Sequence, residues 1–274
     1  MNRFRNRLIA VALTVACALS CAPLAMQAQA QSPPVGAIAR LMHSAKPAVL
    51  AIGTHQPLRN PTFRTSATGF IVGDGYTFVT NAHAIPPSFD SANRESLAVA
   101  RARGAGGQDF EIFQAEVVRI ERADDLAVLR IKSDAPLPTL RLAPLKTRVA
   151  EGEDVMLIGY PLGSALGLIP AVHRGIVAAQ APLAVPKPNS VQIDARTIRR
   201  MRSESDNFFY QLDMVAFPGN SGSPLISVTT GEVVGILNAT HARSTREAIS
   251  IPSGISYAVP VGALHALLEG LAKP

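Results

Sequence analysis

Twelve short runs rich in Val, Ile and Phe, cut by Gly, Pro, Asn or Asp, divide the chain into two sets of six with no helical pattern inside either set. The first set is Ala48 to Ile52, Thr68 to Val72, Tyr76 to Thr80, Ser96 to Ala100, Phe113 to Ile120 and Leu126 to Ile131. A Pro-bearing connection, Ser133 to Pro144, leads to the second: Asp154 to Gly159, Val172 to Ala179, Phe208 to Asp213, Pro224 to Val228, Val233 to Asn238 and Ser256 to Val259. A parallel sheet needs a long crossover, usually a helix, between successive strands, and none is available here. The spacing therefore predicts an all-β fold of two six-stranded antiparallel β-barrels, over about residues 46–132 and 145–260. Helical periodicity is confined to the ends. Ile38, Leu41 and Met42 lie on one side of Val35 to Ala45, which Pro47 stops, and Leu264, Leu267 and Leu268 mark Val261 to Leu271.

With 47% hydrophobic and 17% charged residues the chain is expected to fold around a core. The 20 Gly and 21 Pro exclude a coiled coil. Residues 1–30 read as an export signal: Arg3, Arg5 and Arg7, an apolar run from Leu8 to Leu19, then small residues ending at Ala28-Gln29-Ala30. That run is too short to span a bilayer, so no stable membrane insertion is expected, and the mature protein belongs in the periplasm or outside the cell. Both cysteines, Cys17 and Cys21, fall in the leader, so cleavage after Ala30 leaves no thiol for a disulfide. Cys21 after Ala18-Leu19-Ser20 offers a second reading, a lipidated cysteine. Without the leader's three arginines the formal charge falls from +6 to +3, a weak excess that names no nucleic-acid partner. The insertion Pro182 to Asp206, with Lys187, Arg196, Arg199, Arg200 and Arg202, reads first as a solvated loop and second as a substrate-recruiting or regulatory one.

Chemistry is concentrated in Phe217-Pro218-Gly219-Asn220-Ser221-Gly222-Ser223-Pro224, a serine between glycines just before an apolar strand. Gly219 and Gly222 permit positive φ, and the amides of Gly219 and Ser221 can then converge on an oxyanion. A serine hydroxyl needs a base. Of six histidines, His83 in Val79-Thr80-Asn81-Ala82-His83 stands at the end of a strand, where a ring projects from a rigid edge. His43, His55, His173, His241 and His265 read as surface or satisfied core residues. No histidine pair has zinc-site spacing, so no metal or other cofactor is expected. A carboxylate should orient the imidazole. Asp124 and Asp125 both precede the run Leu126-Ala127-Val128-Leu129, and strand alternation lets only one of them face His83.

The order His83, Asp125, Ser221 and the segments around it carry a resemblance. Gly69-Phe70-Ile71-Val72 with Thr80-Asn81-Ala82-His83, Asp125-Leu126-Ala127-Val128-Leu129, Gly219-Asn220-Ser221-Gly222-Ser223-Pro224 and Gly254-Ile255-Ser256-Tyr257-Ala258-Val259-Pro260 resemble the trypsin-like serine proteases, specifically the HtrA (Deg) type. The resemblance runs from about Lys46 to the C-terminus. It implies a secreted or periplasmic endopeptidase with polypeptide substrates. It makes His83 the general base, Asp125 rather than Asp124 the orienting acid, Ser221 the nucleophile, and the Gly219 and Ser221 amides the oxyanion hole. HtrA enzymes carry PDZ modules after the protease domain. Only Val261 to Pro274 follows the last strand here, so regulation through such modules is not expected. Ser223 stands where the family usually has glycine, a form shared with glutamyl endopeptidases, but Gly235-Ile236 precedes Leu237 rather than the histidine that those enzymes use for acidic substrates. The floor of the first specificity pocket falls at Val215, beside Ala216, so cleavage after Val, Ala or Leu is expected rather than after Lys or Arg. Asp213, eight residues before the serine, matches an acid common in the HtrA pattern, and its alternative is a structural role in holding the pocket loop. The alternative is a protease-like binding or chaperone protein whose active loop rests in a non-catalytic state; a carboxylesterase would need a lipophilic acyl site that the sequence does not display.

Overall fold

The computed structural model describes residues 35–103, 109–163, 167–182, 208–238 and 254–271. The leader with Cys17 and Cys21, the basic insertion beyond Pro182 and His241 lie outside the described residues.

Twelve strands form two closed antiparallel barrels. The first contains β1 (Val49–His55), β2 (Phe63–Val72), β3 (Thr77–Asn81), β4 (Ser96–Ala102), β5 (Phe110–Glu121) and β6 (Leu126–Ile131), in the spatial order β1-β2-β3-β6-β5-β4. The second contains β7 (Asp154–Gly159), β8 (Ala171–Pro182), β9 (Phe208–Asp213), β10 (Pro224–Ser227), β11 (Val233–Asn238) and β12 (Ile255–Pro260), in the order β10-β11-β12-β9-β8-β7. Helices α1 (Val35–Ala45) and α2 (Val261–Glu269) flank them.

Several strands read as unbroken apolar runs because both of their faces are covered. In β1, Leu50 and Ile52 enter the interior of the first barrel, while Val49 and Ala51 enter a core shared between the barrels. In β7, Val155 and Leu157 fill the second barrel, while Met156 and Ile158 face the shared core. Alternation along a strand thus supplies two different cores from one sequence. Met42 and Ala45 of α1 and Leu264 and Leu267 of α2 close the shared core. The 133–144 connection also stitches the barrels: Leu140 N–H donates to Ile71 O at 2.9 Å, and Ala143 N–H to Val233 O at 2.9 Å.

Most strand limits match the sequence expectation to within a few residues. β1 continues to His55 through a register shift at Ile52/Gly53, and β2 begins at Phe63, where Arg64, Thr65 and Ser66 are not buried. Apart from the buried Phe63, the start of β2 leaves no hydrophobic run to read.

The β1–β2 connection is held by an ion pair. Arg59 Nη1 lies 2.7 Å from Glu95 Oε1 and Arg59 Nη2 donates to Thr54 O at 2.7 Å. The Asp90 N–H, then Thr54, then Arg59 hold the Glu95 carboxyl down at about 2, against an ordinary 4.5. The unfolded chain therefore takes up this proton at higher pH than the folded one, so the stabilisation is complete above pH 4.5 and is lost as pH falls through about 2. Glu95→Gln should cost about 1 kcal/mol at neutral pH. In urea unfolding, the variant and the wild type should converge as pH is lowered through that window.

Candidate active site

β3 ends at Asn81 and the chain tightens into a single 3₁₀ turn, Ala82–Ala84. Ala82 and Ala84 are buried and His83 projects outward. Because Leu126 is the register partner of Asn81, the residue before it, Asp125, meets this turn. The Asp125 carbonyl accepts from the Ala82 N–H and from Asn81 Nδ2, each at 3.0 Å. Its carboxylate accepts the His83 N–H at 2.9 Å through Oδ1 and lies 2.6 Å from His83 Nδ1 through Oδ2. Asp125 has φ 54°, a left-handed conformation that aspartate tolerates better than most side chains, and it turns the chain sharply into β6. Asp125, not Asp124, makes these contacts. An ionised carboxylate only accepts, so Nδ1 carries the proton and Nε2 keeps its lone pair.

Ser221 lies in the passage from β9 to β10. Pro218 and Gly219 occupy the centre of a turn closed by the Asn220 N–H on Phe217 O at 3.0 Å, with Gly219 at φ 96°. Proline first and a positive-φ glycine second is the signature of a type II turn. A second turn follows at once, closed by the Ser223 N–H on Asn220 O at 3.0 Å. Both glycines are also required by close approach. A Cβ on Gly219 would fall 2.3 Å from Tyr160 O, and one on Gly222 would fall 2.1 Å from Thr68 O.

These turns are bound to the first barrel through Thr68. The Thr68 N–H donates to Ser221 O at 2.8 Å, and its hydroxyl donates to Gly219 O at 2.7 Å while accepting the Tyr160 N–H at 2.9 Å. Thr80 Oγ1 donates to Thr68 O at 2.7 Å. The serine turn is thereby packed on the β2 and β3 edge from which His83 emerges. Among the described residues, no acceptor meets the N–H of Gly219 or of Ser221. The two expected oxyanion donors are thus unpaired. No hydrogen bond joins Ser221 Oγ to His83. The structure brings His83 and Asp125 into contact and sets Ser221 on the adjoining turn without that last link.

Val215 and Ala216 are half-buried at the head of the same passage, and Ala216 packs on the second barrel's core. The Met214 N–H donates to Gly254 O at 2.9 Å and Ser256 Oγ donates to Met214 O at 2.6 Å, anchoring the segment to β12. Asp213 is exposed at the end of β9 and is the register partner of Ile255. Of the other described histidines, His43 is exposed, and His265 Nε2 lies 2.8 Å from Ala143 O. His173 differs from the sequence expectation in its partner: Nε2 lies 3.3 Å from Asn220 Nδ2, one residue before Ser221. Thr68 was legible only as the residue before the Gly69-Phe70 motif, and nothing in the sequence marked His173.

Thr68→Val should leave the Gly219 carbonyl and the Tyr160 N–H without their partner and destabilise by about 2 kcal/mol. Thr68→Ser should retain most of the stability. Urea unfolding midpoints of the two variants check this.

A model of the trypsin-like peptidase domain matches residues 67–236. The chain is similar to serine protease HTRA3 of Rattus norvegicus, 29% identical over 228 residues that cover 81% of this chain and 42% of that protein. It is 28% identical to serine protease HTRA1 of Xenopus laevis over 228 residues, 81% of this chain and 40% of the relative. Against mitochondrial serine protease HTRA2 of Bos taurus it is 29% identical over 239 residues, 85% of this chain and 42% of the relative. The matched region thus spans about two fifths of those relatives' length. The match of the domain model over more than half of the sequence, on a pair of closed six-stranded barrels, places the chain in the trypsin-like serine protease family, among homologues of the HtrA proteases.

Proposed function

We propose that this chain is an exported serine endopeptidase that cleaves unfolded polypeptides after small or medium aliphatic residues. The observation that carries the assignment is the carboxylate-locked imidazole of His83 at the edge to which the Ser221 turn is bound. In this mechanism Ser221 Oγ attacks the peptide carbonyl carbon while His83 Nε2 takes the hydroxyl proton, and Asp125 stabilises the resulting imidazolium. The Gly219 and Ser221 N–H groups stabilise the oxyanion, each donor contributing about 3 kcal/mol to the transition state. Collapse breaks the C–N bond, with His83 returning its proton to the leaving amine. Water, deprotonated by the same imidazole, then hydrolyses the acyl-enzyme. The uncharged pocket at Val215 and Ala216 supports aliphatic selection, and the Arg-rich leader supports export to the periplasm or beyond.

The unmade bond between Ser221 and His83 favours one second reading, a protease-like binding or chaperone protein with a resting active loop. Catalytic contacts in ligand-free proteases are often loose and tighten on binding, which keeps the peptidase in front. A fluorophosphonate separates the two. It should label the wild type at Ser221, leave Ser221→Ala unlabelled, and label Asp125→Asn about 10⁴-fold more slowly because the tautomer is lost. Failure of the wild type to react would sink the peptidase in favour of the resting protein. Mass mapping of digested denatured casein should give ends at Val, Ala and Leu; a map dominated by Arg or Lys would overturn the pocket assignment.

A further inference from the structure

Asn220, directly before Ser221, is fully buried. Its backbone closes both turns of the serine segment: its N–H ends the first and its carbonyl begins the second. Any swing of this residue therefore moves the Gly219 and Ser221 N–H groups together. Its side-chain amide has a single hydrogen-bond partner among the described residues, Nε2 of His173 at 3.3 Å. Asn220 Oδ1 is buried without a partner, as is Ser223 Oγ. Both atoms lie over Gly159, where a Cβ would fall 2.6 Å from Oδ1 and 2.3 Å from Oγ.

His173 is the third residue of β8, where its register partner on β7 is Leu157. Its ring lies 6.0 Å from that of Phe217, the first residue of the type II turn. One imidazole thus touches both ends of that turn, by ring contact at Phe217 and by hydrogen bonding at Asn220. Neighbouring Arg174, on the opposite face of the strand, is paired with Asp154. Burial pushes the His173 imidazole below its ordinary value of 6.5. The ring is therefore neutral at neutral pH. A neutral ring with its proton on Nδ1 offers the Nε2 lone pair to an amide N–H.

We infer that His173 is a positioning residue: by accepting the Asn220 amide from beneath the serine turn, it holds the Gly219 and Ser221 N–H groups in place. It touches no reacting atom and acts through Asn220. This rests on the assignment of Ser221 as nucleophile for its kinetic consequence, but the contact itself is measurable without activity.

The test compares His173→Gln, whose carboxamide oxygen replaces the acceptor, with His173→Met, of similar length but without one. Melting curves establish that each is folded. With a fluorophosphonate, His173→Met should lower the limiting inactivation rate constant roughly tenfold while leaving the half-saturating concentration unchanged, the pattern of a contact that matters in the transition state. His173→Gln should recover it to within about threefold of wild type. In a double-mutant cycle, Asn220→Ala should add little to the loss in His173→Met. Equal rates for Met and Gln, or full additivity with Asn220→Ala, would refute the role. The activity-free readout is hydrogen exchange of the Asn220 side-chain amide by NMR in Ser221→Ala. It should be protected with His or Gln at 173 and roughly tenfold less so with Met. Unaltered exchange in a folded Met variant refutes the contact even where the wild type does not react. A wild type that never reacts while exchange still follows residue 173 removes the peptidase assignment and leaves the contact standing.

Discussion

One threonine joins the two barrels at the place where chemistry is expected. Thr68 sits in β2 of the first barrel, yet its N–H, hydroxyl and carbonyl meet Ser221 O, Gly219 O, the Tyr160 N–H and the Thr80 hydroxyl. Two of these partners belong to the serine turns and one to the chain leaving β7. A backbone group in such a buried place must find a partner within the protein, because water does not reach it. Thr68 satisfies several such groups with one side chain, so the relative placement of the barrels and the shape of the serine turn are fixed by the same contacts. Gly222 shows how tight this junction is, since even a methyl group there would run into Thr68 O.

The shared core makes that junction rigid. Val49, Phe70, Val79, Met156, Ile158, Ile226 and Val233 are almost fully excluded from water and come from both barrels. Burying each such side chain stabilises by about 2 kcal/mol, far more than any one hydrogen bond at the cleft. Packing therefore holds the barrels together, and the polar contacts determine register at the rim. Tyr160 joins the two roles: its ring is buried in the shared core while its hydroxyl donates to Val49 O at 3.1 Å across the seam.

Much of this was legible in the chain. Strands with two buried faces, such as Val155 to Gly159 and Val233 to Asn238, appear as continuous apolar runs, and the helices at both ends show their periodicity. Asp125 was separable from Asp124 only through the resemblance, because alternation says that one of two neighbours faces inward without saying which. The register of β3 against β6 decides it physically. Contacts between distant polar residues had no such signature. His173 lies on an ordinary strand, and its meeting with Asn220, 47 positions away, depends on how β8 passes under the serine turn. Thr68 was hidden for the same reason: its side-chain hydroxyl meets only backbone groups, and any sequence would supply those.

Several departures from ordinary local structure surround the candidate site. Asp125 holds a left-handed conformation without being glycine, and among the described residues the Gly219 and Ser221 N–H groups lack acceptors while Asn81 Oδ1, Asn220 Oδ1 and Ser223 Oγ are buried without partners. Each costs stability, and folding alone gives no reason to place them together. The surrounding barrels are closed and have apolar interiors. Such a contrast is expected where a scaffold supports a site whose donors must stay available for a substrate. The strain is tolerable because it is local: Asp125 is held by four hydrogen-bonding contacts, and the serine turn by Thr68 on one side and His173 on the other. A turn constrained from both sides cannot easily relax to pair its own amides, and under the proposed mechanism that inability keeps the two N–H groups available to an incoming carbonyl.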